Sequence, residues 1–204
     1  RDNNRFIAFQ PGAMNYAHQN HFDAALGAKL AIIAPDGKEG MLQHARECRA
    51  VGIPFIFDPG QGLPMFSADE LSEFVALADY VAVNDYEGKL LEDKTGHSLE
   101  KIARGVKALV LTLGAKGSQG LAGGQRHEIP IVKAAEILDP TGCGDAYRAG
   151  LLYGIANGWD WPSTGRLGAL VGSIKIEHRG AQNHRFTAQE IKDRFRREFG
   201  YSPW

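Results

Sequence analysis

The sequence has few cysteines and no long apolar run, and both absences limit the classes of protein that it can represent. Cys48 and Cys143 are too few and too far apart for a disulfide framework or a zinc cluster, which is typical of a reducing compartment. No apolar segment approaches the roughly 20 residues that cross a bilayer, and the first residues lack the hydrophobic block of a secretory signal. These absences favour a cytoplasmic location and give no support to a membrane partner.

A strong charge of either sign is also missing. The formal net charge is −1, and Lys and Arg form no dense run, which argues against nucleic-acid binding driven by bulk electrostatics. The chain is 44% hydrophobic and 23% charged over 204 residues, enough to bury a sizeable core. Because no repeat, low-complexity tract or linker interrupts it, we expect residues 1–204 to form a single domain.

Short β-rich runs alternate with helical patterns along the chain. Several of these runs are apolar without alternation, as strands buried on both faces tend to be. The predicted strands are Phe6 to Phe9, Leu30 to Ala34, Pro54 to Asp58, Tyr80 to Val83 and Ala108 to Leu113. This rhythm predicts an α/β fold with a mostly parallel, doubly wound sheet and helices on both faces.

After the last of these runs the pattern changes to a hairpin and then to helices. Gly123-Gly124 is a good two-residue turn between Ser118 to Ala122 and Arg126 to Val132, so we expect the sheet to end antiparallel. Helical patterns follow from Cys143 to Asn157, from Pro162 to about Glu177 and from Ala188 to Phe199. Thr187 is a plausible cap for the last helix.

The most informative segment is Asp139 to Asp145, Asp-Pro-Thr-Gly-Cys-Gly-Asp, which opens into a helix of small residues. A glycine turn there brings unpaired backbone N–H groups and the positive helix end to one point, which suits phosphate. Asp145 in the first helical turn can accept a proton from an attacking hydroxyl while the amides stabilise the developing charge. The segment predicts phosphoryl transfer, although an aspartate at this position also stabilises a helix without any chemistry.

Other candidates follow predicted strands, at the sheet edge where open α/β sheets bind ligands. Asn84 and Glu87 would share a helix face and suit a hard cation with its waters, or form an ordinary helix cap. In Thr112-Leu113-Gly114-Ala115-Lys116-Gly117 the glycines let the backbone approach a ligand or make a plain turn. Asp58 to Pro64 also follows a predicted strand at this edge, and it too is either a ligand loop or a plain turn.

Nucleophilic and metal sites find less support in the sequence. The Cys143 thiol would gain thiolate character at a helix N-terminus, but no histidine partner is evident, so a small buried filler is favoured. His18 and His21 lack a third ligand nearby in sequence. The alternative of a phosphate-binding hydrolase of Rossmann type also has less support, because no nucleophile is placed beside the glycine turn.

Taken in order along one sheet edge, these motifs resemble the ribokinase-type (PfkB) family of sugar and nucleoside kinases. Asp139 to Asp145, with the Ala-x-x-Ala-Gly that follows, is similar to the C-terminal signature of that family. Asn84-x-x-Glu87 and Thr112 to Gly117 match two further family motifs. The resemblance covers essentially the whole chain and implies a three-layer α-β-α ribokinase-like fold.

The resemblance implies the residues that perform the reaction. Asp145 would be the catalytic base, and the anion hole would consist of the amides of Gly142, Cys143 and Gly144. The attacking alcohol would lose its proton to Asp145 as it approaches the γ-phosphate in line, so that catalysis is mainly positioning and charge stabilisation. Cys143 stands where alanine is common in the family.

The resemblance also implies ATP, Mg²⁺ and, in many members, K⁺ as cofactors. Asn84 and Glu87 would organise Mg²⁺ and the phosphates through water, and the residues lining the ATP site would be Thr112, Gly114 and Gly117. Asp139 would be the side-chain ligand of K⁺, with backbone carbonyls around Thr141, Lys175, His178 and Gly180. His184 stands where related enzymes often have a small hydroxyl residue.

Three segments are most similar to prokaryotic nucleoside kinases of the adenosine type: Asp58 to Gln61, Gly144 to Gly150, and Gly180 to His184. They imply ATP-dependent phosphorylation of the 5′-hydroxyl of a nucleoside, with adenosine or a broad set of nucleosides as the small-molecule partner. Ribokinase or another sugar kinase is the alternative, because a primary alcohol on a furanose presents the same reacting geometry.

Family members normally begin with strands that carry the substrate-gripping residues and a lid. Arg1 to Gln10 instead resembles a strand from the middle of such a domain, so we expect about the first third to be absent. A truncated, non-catalytic nucleotide-binding module is therefore an alternative of another class. Full-length members often dimerise through that lid, which makes a homodimer an option for the full-length protein.

Overall fold

The computed structural model describes residues 9–22 and 27–204, and within them six strands form one sheet. In spatial order the strands are β1 (Ala31–Ile33), β2 (Phe55–Phe57), β3 (Tyr80–Asn84), β4 (Ala108–Thr112), β5 (Ser118–Ala122) and β6 (Gln125–Ile129). Strands β1 to β4 are parallel, whereas β4–β5 and β5–β6 are antiparallel. The mostly parallel sheet with an antiparallel end is thus confirmed. The strand predicted from Phe6 to Phe9 lies, except for Phe9, outside the described residues.

The helices are α1 (Lys38–Val51), α2 (Ala68–Leu77), α3 (Asp85–Thr95), α4 (Leu99–Gly105), α5 (Cys143–Ala156), α6 (Trp161–Ile176) and α7 (Ala188–Phe199). Short 3-10 helices cover Gly12–Gln19, Gly60–Met65 and Gly114–Lys116. Thr187 caps α7 as predicted, because its side chain accepts the N–H of Glu190. None of the helices in the described ranges combines the length and apolar character needed to cross a membrane.

The hairpin has the predicted turn, but its second strand is shorter than expected. Gly123 and Gly124 both have positive φ, 56° and 76°, as a tight hairpin turn of the favoured hand requires. β6 ends at Ile129 instead of Val132. The next residue is Pro130, which has no backbone N–H for the ladder, so strand pairing stops there.

Alternate side chains of the central strands pack into two separate hydrophobic layers. On one face, the buried residues of β1 to β4 pack against helices α1 to α4; they are Ile33, Phe55, Phe57, Val81, Val83 and Leu109. On the other face, Ile56, Ala82 and Val110 pack against Tyr147 and Leu151 of α5. The predicted three-layer arrangement is therefore confirmed, with α5 lying directly on the middle of the sheet.

Helix α5 is also in close contact with α6. A Cβ added to Gly150 would lie 2.6 Å from the Cα of Gly168, so the two backbones touch where these glycines meet. Gly154 faces Thr164 in the same way, with an added Cβ 2.6 Å from its Oγ1. The small residues after Asp145 therefore hold α5 between the sheet and α6, which fixes the position of its N-terminus.

Candidate active site

Three consecutive parallel strands end in polar residues at the same edge of the sheet. Asp58 directly follows β2, and its backbone N–H donates to the carbonyl of Ile33 at 2.9 Å. Asn84 ends β3 and Thr112 ends β4, and these two residues are partners in the register of the sheet. The fold thus brings together motifs that lie far apart in the sequence, at the edge where such sheets bind ligands.

Asn84 and Glu87 form a capping box at the start of α3. The Asn84 side chain accepts the N–H of Glu87 at 2.7 Å, while Glu87 accepts the Asn84 backbone N–H at 2.8 Å and its side-chain amide at 2.7 Å. Burial raises the pKa of the Glu87 carboxyl, whereas the Asn84 hydrogen bond and the Arg148 charge act in the opposite direction. The helix cap is present, and it holds the carboxylate in one orientation at the sheet edge.

A buried ion pair joins the end of β2 to helix α5. Arg148 donates from Nε and Nη2 to the two Asp58 oxygens, at 3.1 and 3.2 Å, with both side chains at most 10% exposed. Burial raises the pKa of Asp58; the Arg148 charge lowers it and the nearby Asp145 charge raises it. The sequence alone does not predict a role for Arg148. The one local indication of such a role is that an arginine stands among the small and apolar residues of this helix.

Asp145 is the third residue of α5 and is exposed. Its carboxylate has no hydrogen-bond partner among the described residues, so its oxygens are available to a ligand. Arg148 follows one helical turn later, and the electrostatic effect of Asp145 on Asp58 places all three groups in one neighbourhood. The predicted base therefore lies beside the polar edge of the sheet.

The turn before α5 has the geometry expected of an anion site. Gly142 has φ +82°, and an added Cβ would lie 2.9 Å from the carbonyl oxygen of Ala181, so only glycine suits this position. In the described part of the chain, the N–H groups of Gly142, Gly144 and Asp145 have no acceptor. The Cys143 N–H, by contrast, donates to the Pro140 carbonyl at 3.2 Å. Two of the three predicted anion-hole amides are thus open.

Asp139 anchors this turn to the loop after α6. One carboxylate oxygen accepts the N–H of Thr141 and the other that of Gly180, both at 2.9 Å. These bonds, led by the one from Thr141, hold the pKa of Asp139 well below its usual range. Asp139 is therefore an ionised brace that keeps the turn and the loop together.

The segment predicted to line the ATP site follows β4. Gly114 has φ +57° and opens onto free space, since an added Cβ would meet no atom within 4 Å. Gly117 has φ +88°, and an added Cβ would overlap the carbonyl oxygen of Ile129 in β6. Thr112 donates from Oγ1 to the Val83 carbonyl at 3.4 Å. Close packing against β6 explains why residue 117 is a glycine. The open space at Gly114 leaves room for a ligand.

Comparisons with known proteins place this chain among kinases. The family described as pfkB family carbohydrate kinase matches residues 1–188. A nucleoside kinase of Methanocaldococcus jannaschii is 31% identical over 195 residues, which cover 95% of this chain and 64% of that protein.

Two solved structures of the nucleoside kinase of Burkholderia thailandensis are also similar, one in complex with inosine and one with ADP-inosine. Both are 51% identical and cover 99% of this chain, with TM-scores of 0.97 and 0.96. This chain covers 68% and 63% of those two chains. It therefore spans about two thirds of the length of the relatives that it matches.

Proposed function

Because this chain belongs to the pfkB family of carbohydrate kinases, we propose that the protein carrying it transfers the γ-phosphoryl group of ATP to the 5′-hydroxyl of a nucleoside. One observation carries the proposal: the Asp145 carboxylate, which has no hydrogen-bond partner in residues 9–22 and 27–204, lies in the same helical turn as open backbone amides, next to the polar edge of the sheet. This arrangement can deprotonate an alcohol and stabilise negative charge in one place.

The roles of the residues follow from their positions. Asp145 accepts the proton of the attacking hydroxyl, and the N–H groups of Gly142 and Gly144 donate to the phosphoryl oxygens as charge develops. Arg148, paired with Asp58, holds α5 against the end of β2 and so positions Asp145. The residues do little covalent chemistry, so their main contribution is to orient the two substrates.

The residues around Glu87 fit a hydrated magnesium ion that accompanies the nucleotide. Mg²⁺ keeps several waters and is usually held by one or two carboxylates and by phosphates, not by a dedicated protein cage. Accordingly, the described residues include no group of three ligating side chains, but they present the fixed Glu87 carboxylate at the sheet edge. When bound, Mg²⁺ would neutralise phosphate charge; Glu87 and Asn84 would orient its waters, and Thr112, Gly114 and Gly117 would line the nucleotide site.

The choice of a nucleoside as acceptor rests on similarity. The Burkholderia thailandensis relative is a nucleoside kinase with a solved inosine complex, and it shares 51% identity over nearly all of this chain. The family as a whole is described as carbohydrate kinases, so a free sugar is the second candidate acceptor.

The proposal is tested by measuring ATP-dependent phosphorylation by the full-length parent protein with Mg²⁺. Adenosine, inosine, guanosine and cytidine are compared with ribose and fructose, and 5′-deoxyadenosine serves as the control that lacks the acceptor hydroxyl. We expect product from the nucleosides, little from the free sugars and none from 5′-deoxyadenosine. Product from sugars alone would favour a sugar kinase, and no product with any acceptor would favour a non-catalytic nucleotide-binding module.

A further inference from the structure

Lys175, near the end of α6, is a fully buried lysine next to the proposed anion site. Its relative exposure is 0%, and its Nζ donates to the backbone carbonyl of Asp139 at 2.7 Å and to that of His178 at 3.0 Å. A buried ammonium is costly unless its charge is matched by well-placed partners. This lysine therefore occupies a site built for a positive charge.

The two carbonyls belong to different segments that must stay together. Asp139 begins the turn that leads to Gly142 and α5, whereas His178 lies in the loop after α6. The Asp139 carboxylate bridges the same two segments, through the N–H groups of Thr141 and Gly180. The ammonium thus joins the turn and the loop through one backbone carbonyl of each. The Asp139 carboxylate joins the same two segments through one backbone N–H of each.

The ionisable groups around Lys175 match a single positive charge on its ammonium. After the hydrogen bonds from Thr141 and Gly180, the Lys175 charge also lowers the pKa of Asp139. Burial lowers the pKa of His184, and the Lys175 charge lowers it further, so that imidazole favours its neutral form. One ammonium is therefore balanced by one carboxylate, with no second anion identified beside it in the described residues.

These contacts occupy part of the coordination shell of the potassium ion that the family resemblance suggests, namely the Asp139 carboxylate and the His178 carbonyl. Both Asp139 oxygens accept backbone N–H groups, and the Asp139 and His178 carbonyls accept the lysine ammonium. An ammonium and K⁺ carry the same charge and both bind carbonyl oxygens, so side by side they would repel each other and compete for the His178 carbonyl. With one positive charge already placed there, the residues present fit the lysine in place of the ion.

We propose that Lys175 is a built-in monovalent cation, which positions the turn carrying the open amides and makes the enzyme independent of K⁺. The part of this inference that concerns catalysis rests on the proposed kinase function. Lys175 acts through the backbone of the turn and is a positioning residue.

The first test compares the full-length protein in tetramethylammonium salts with and without K⁺. We expect the wild-type rate to change less than about twofold on adding K⁺, because its cation is already present. Lys175→Ala removes the ammonium and leaves space between the two carbonyls. Its turnover should fall at least ~10-fold in tetramethylammonium salts, since displacing a positioned group costs on that scale, and K⁺ or NH₄⁺ should restore most of the loss.

Lys175→Met and Lys133→Met are matched controls. Methionine removes the charge but fills the space, so Lys175→Met should be slow and should not be rescued by K⁺. Lys133 is exposed, and Lys133→Met should behave as wild type. A wild type that needs K⁺, or a Lys175→Met protein with full activity in tetramethylammonium salts, would overturn the inference while leaving the kinase proposal intact.

Thermal unfolding gives a readout that does not depend on activity. K⁺, compared with tetramethylammonium, should raise the unfolding midpoint of Lys175→Ala and leave the wild-type midpoint unchanged. Equal K⁺ stabilisation of both proteins, or of the wild type alone, would contradict a built-in cation. If no acceptor is phosphorylated in any salt, the proposed function fails, and these midpoints still decide the inference. The wild-type measurement requires no variant to fold.

Discussion

The guanidinium of Arg148 grips the Asp58 carboxylate through two hydrogen bonds, 3.1 and 3.2 Å long, although the two residues lie 90 positions apart in the sequence. Asp58 follows β2, and Arg148 lies one helical turn beyond Asp145. The pair therefore connects the sheet edge to the helix that carries the proposed base. Because both side chains are buried, this connection is sensitive to the loss of either charge.

Arg148→Met should strongly destabilise the protein. It leaves the buried Asp58 carboxylate without its partner, which costs about 3–5 kcal/mol in comparable cases. Urea unfolding measures the change in the free energy of unfolding. Arg46→Met is the matched control, because Arg46 pairs with Glu73 at the surface and should contribute little. Similar losses in the two variants would contradict the importance of the buried pair.

Gly142→Ala and Gly144→Ala should separate turn geometry from ligand approach. Gly142 has positive φ and little space, so its replacement should reduce stability by about 1–3 kcal/mol. Gly144 lies within α5 and an added Cβ meets no atom within 4 Å, so Gly144→Ala should leave stability unchanged or raised. It should nevertheless lower kcat/KM, because phosphate must approach its backbone closely. Unchanged kcat/KM in Gly144→Ala would remove this amide from the proposed site.

Glu87→Gln should weaken magnesium-dependent activity while preserving the start of α3. Glutamine can retain the capping box, whereas the charge that orients metal-bound water is lost. The Mg²⁺ concentration for half-maximal activity should rise about 10-fold, the lower end of the effects seen when an outer-shell partner of a metal is removed. A titration of initial rate against Mg²⁺ checks this. An unchanged midpoint would show that Glu87 serves only as a helix cap.

Glu177 should make the stability of the protein depend on pH below about pH 5. Hydrogen bonds from Arg194 are the largest cause that lowers the pKa of Glu177 in the folded protein. The ionised form is therefore favoured by folding, and its contribution is present above the ordinary glutamate pKa of about 4.3 and is lost as the pH falls through the lowered value. The unfolding midpoint of wild type should decline more between about pH 5 and pH 3 than that of Glu177→Gln. Parallel curves would contradict this assignment.

Local patterns were sufficient to predict much of the fold. The helix from Ala188 to Phe199 is found with both predicted ends, because Thr187 caps its start and Gly200, with φ +78°, ends it. The Gly123-Gly124 turn is also a local signal, since it joins β5 directly to β6 and so sets their antiparallel pairing. The second hairpin strand is shorter than predicted because Pro130 has no backbone N–H to continue the ladder.

Long-range contacts in the site could not be obtained in this way. Asn84 and Glu87 interact within one helical turn, so their spacing alone indicated that they meet. Nothing in the spacing of Asp58 and Arg148 indicates an ion pair, because the fold alone brings them together. Lys175 was also missed, since lysine is almost never fully buried and only carbonyls of its segment entered the sequence-based expectation.

The most direct test of the proposed chemistry is the turnover of Asp145→Asn in the full-length protein. Asparagine keeps the size of the side chain but cannot accept the proton of the attacking alcohol. We expect kcat to fall at least ~10²-fold, the usual scale for loss of a general base, with nucleotide affinity roughly intact. Unchanged turnover would contradict the assignment of Asp145 as the base and, with it, the account of phosphoryl transfer at this sheet edge.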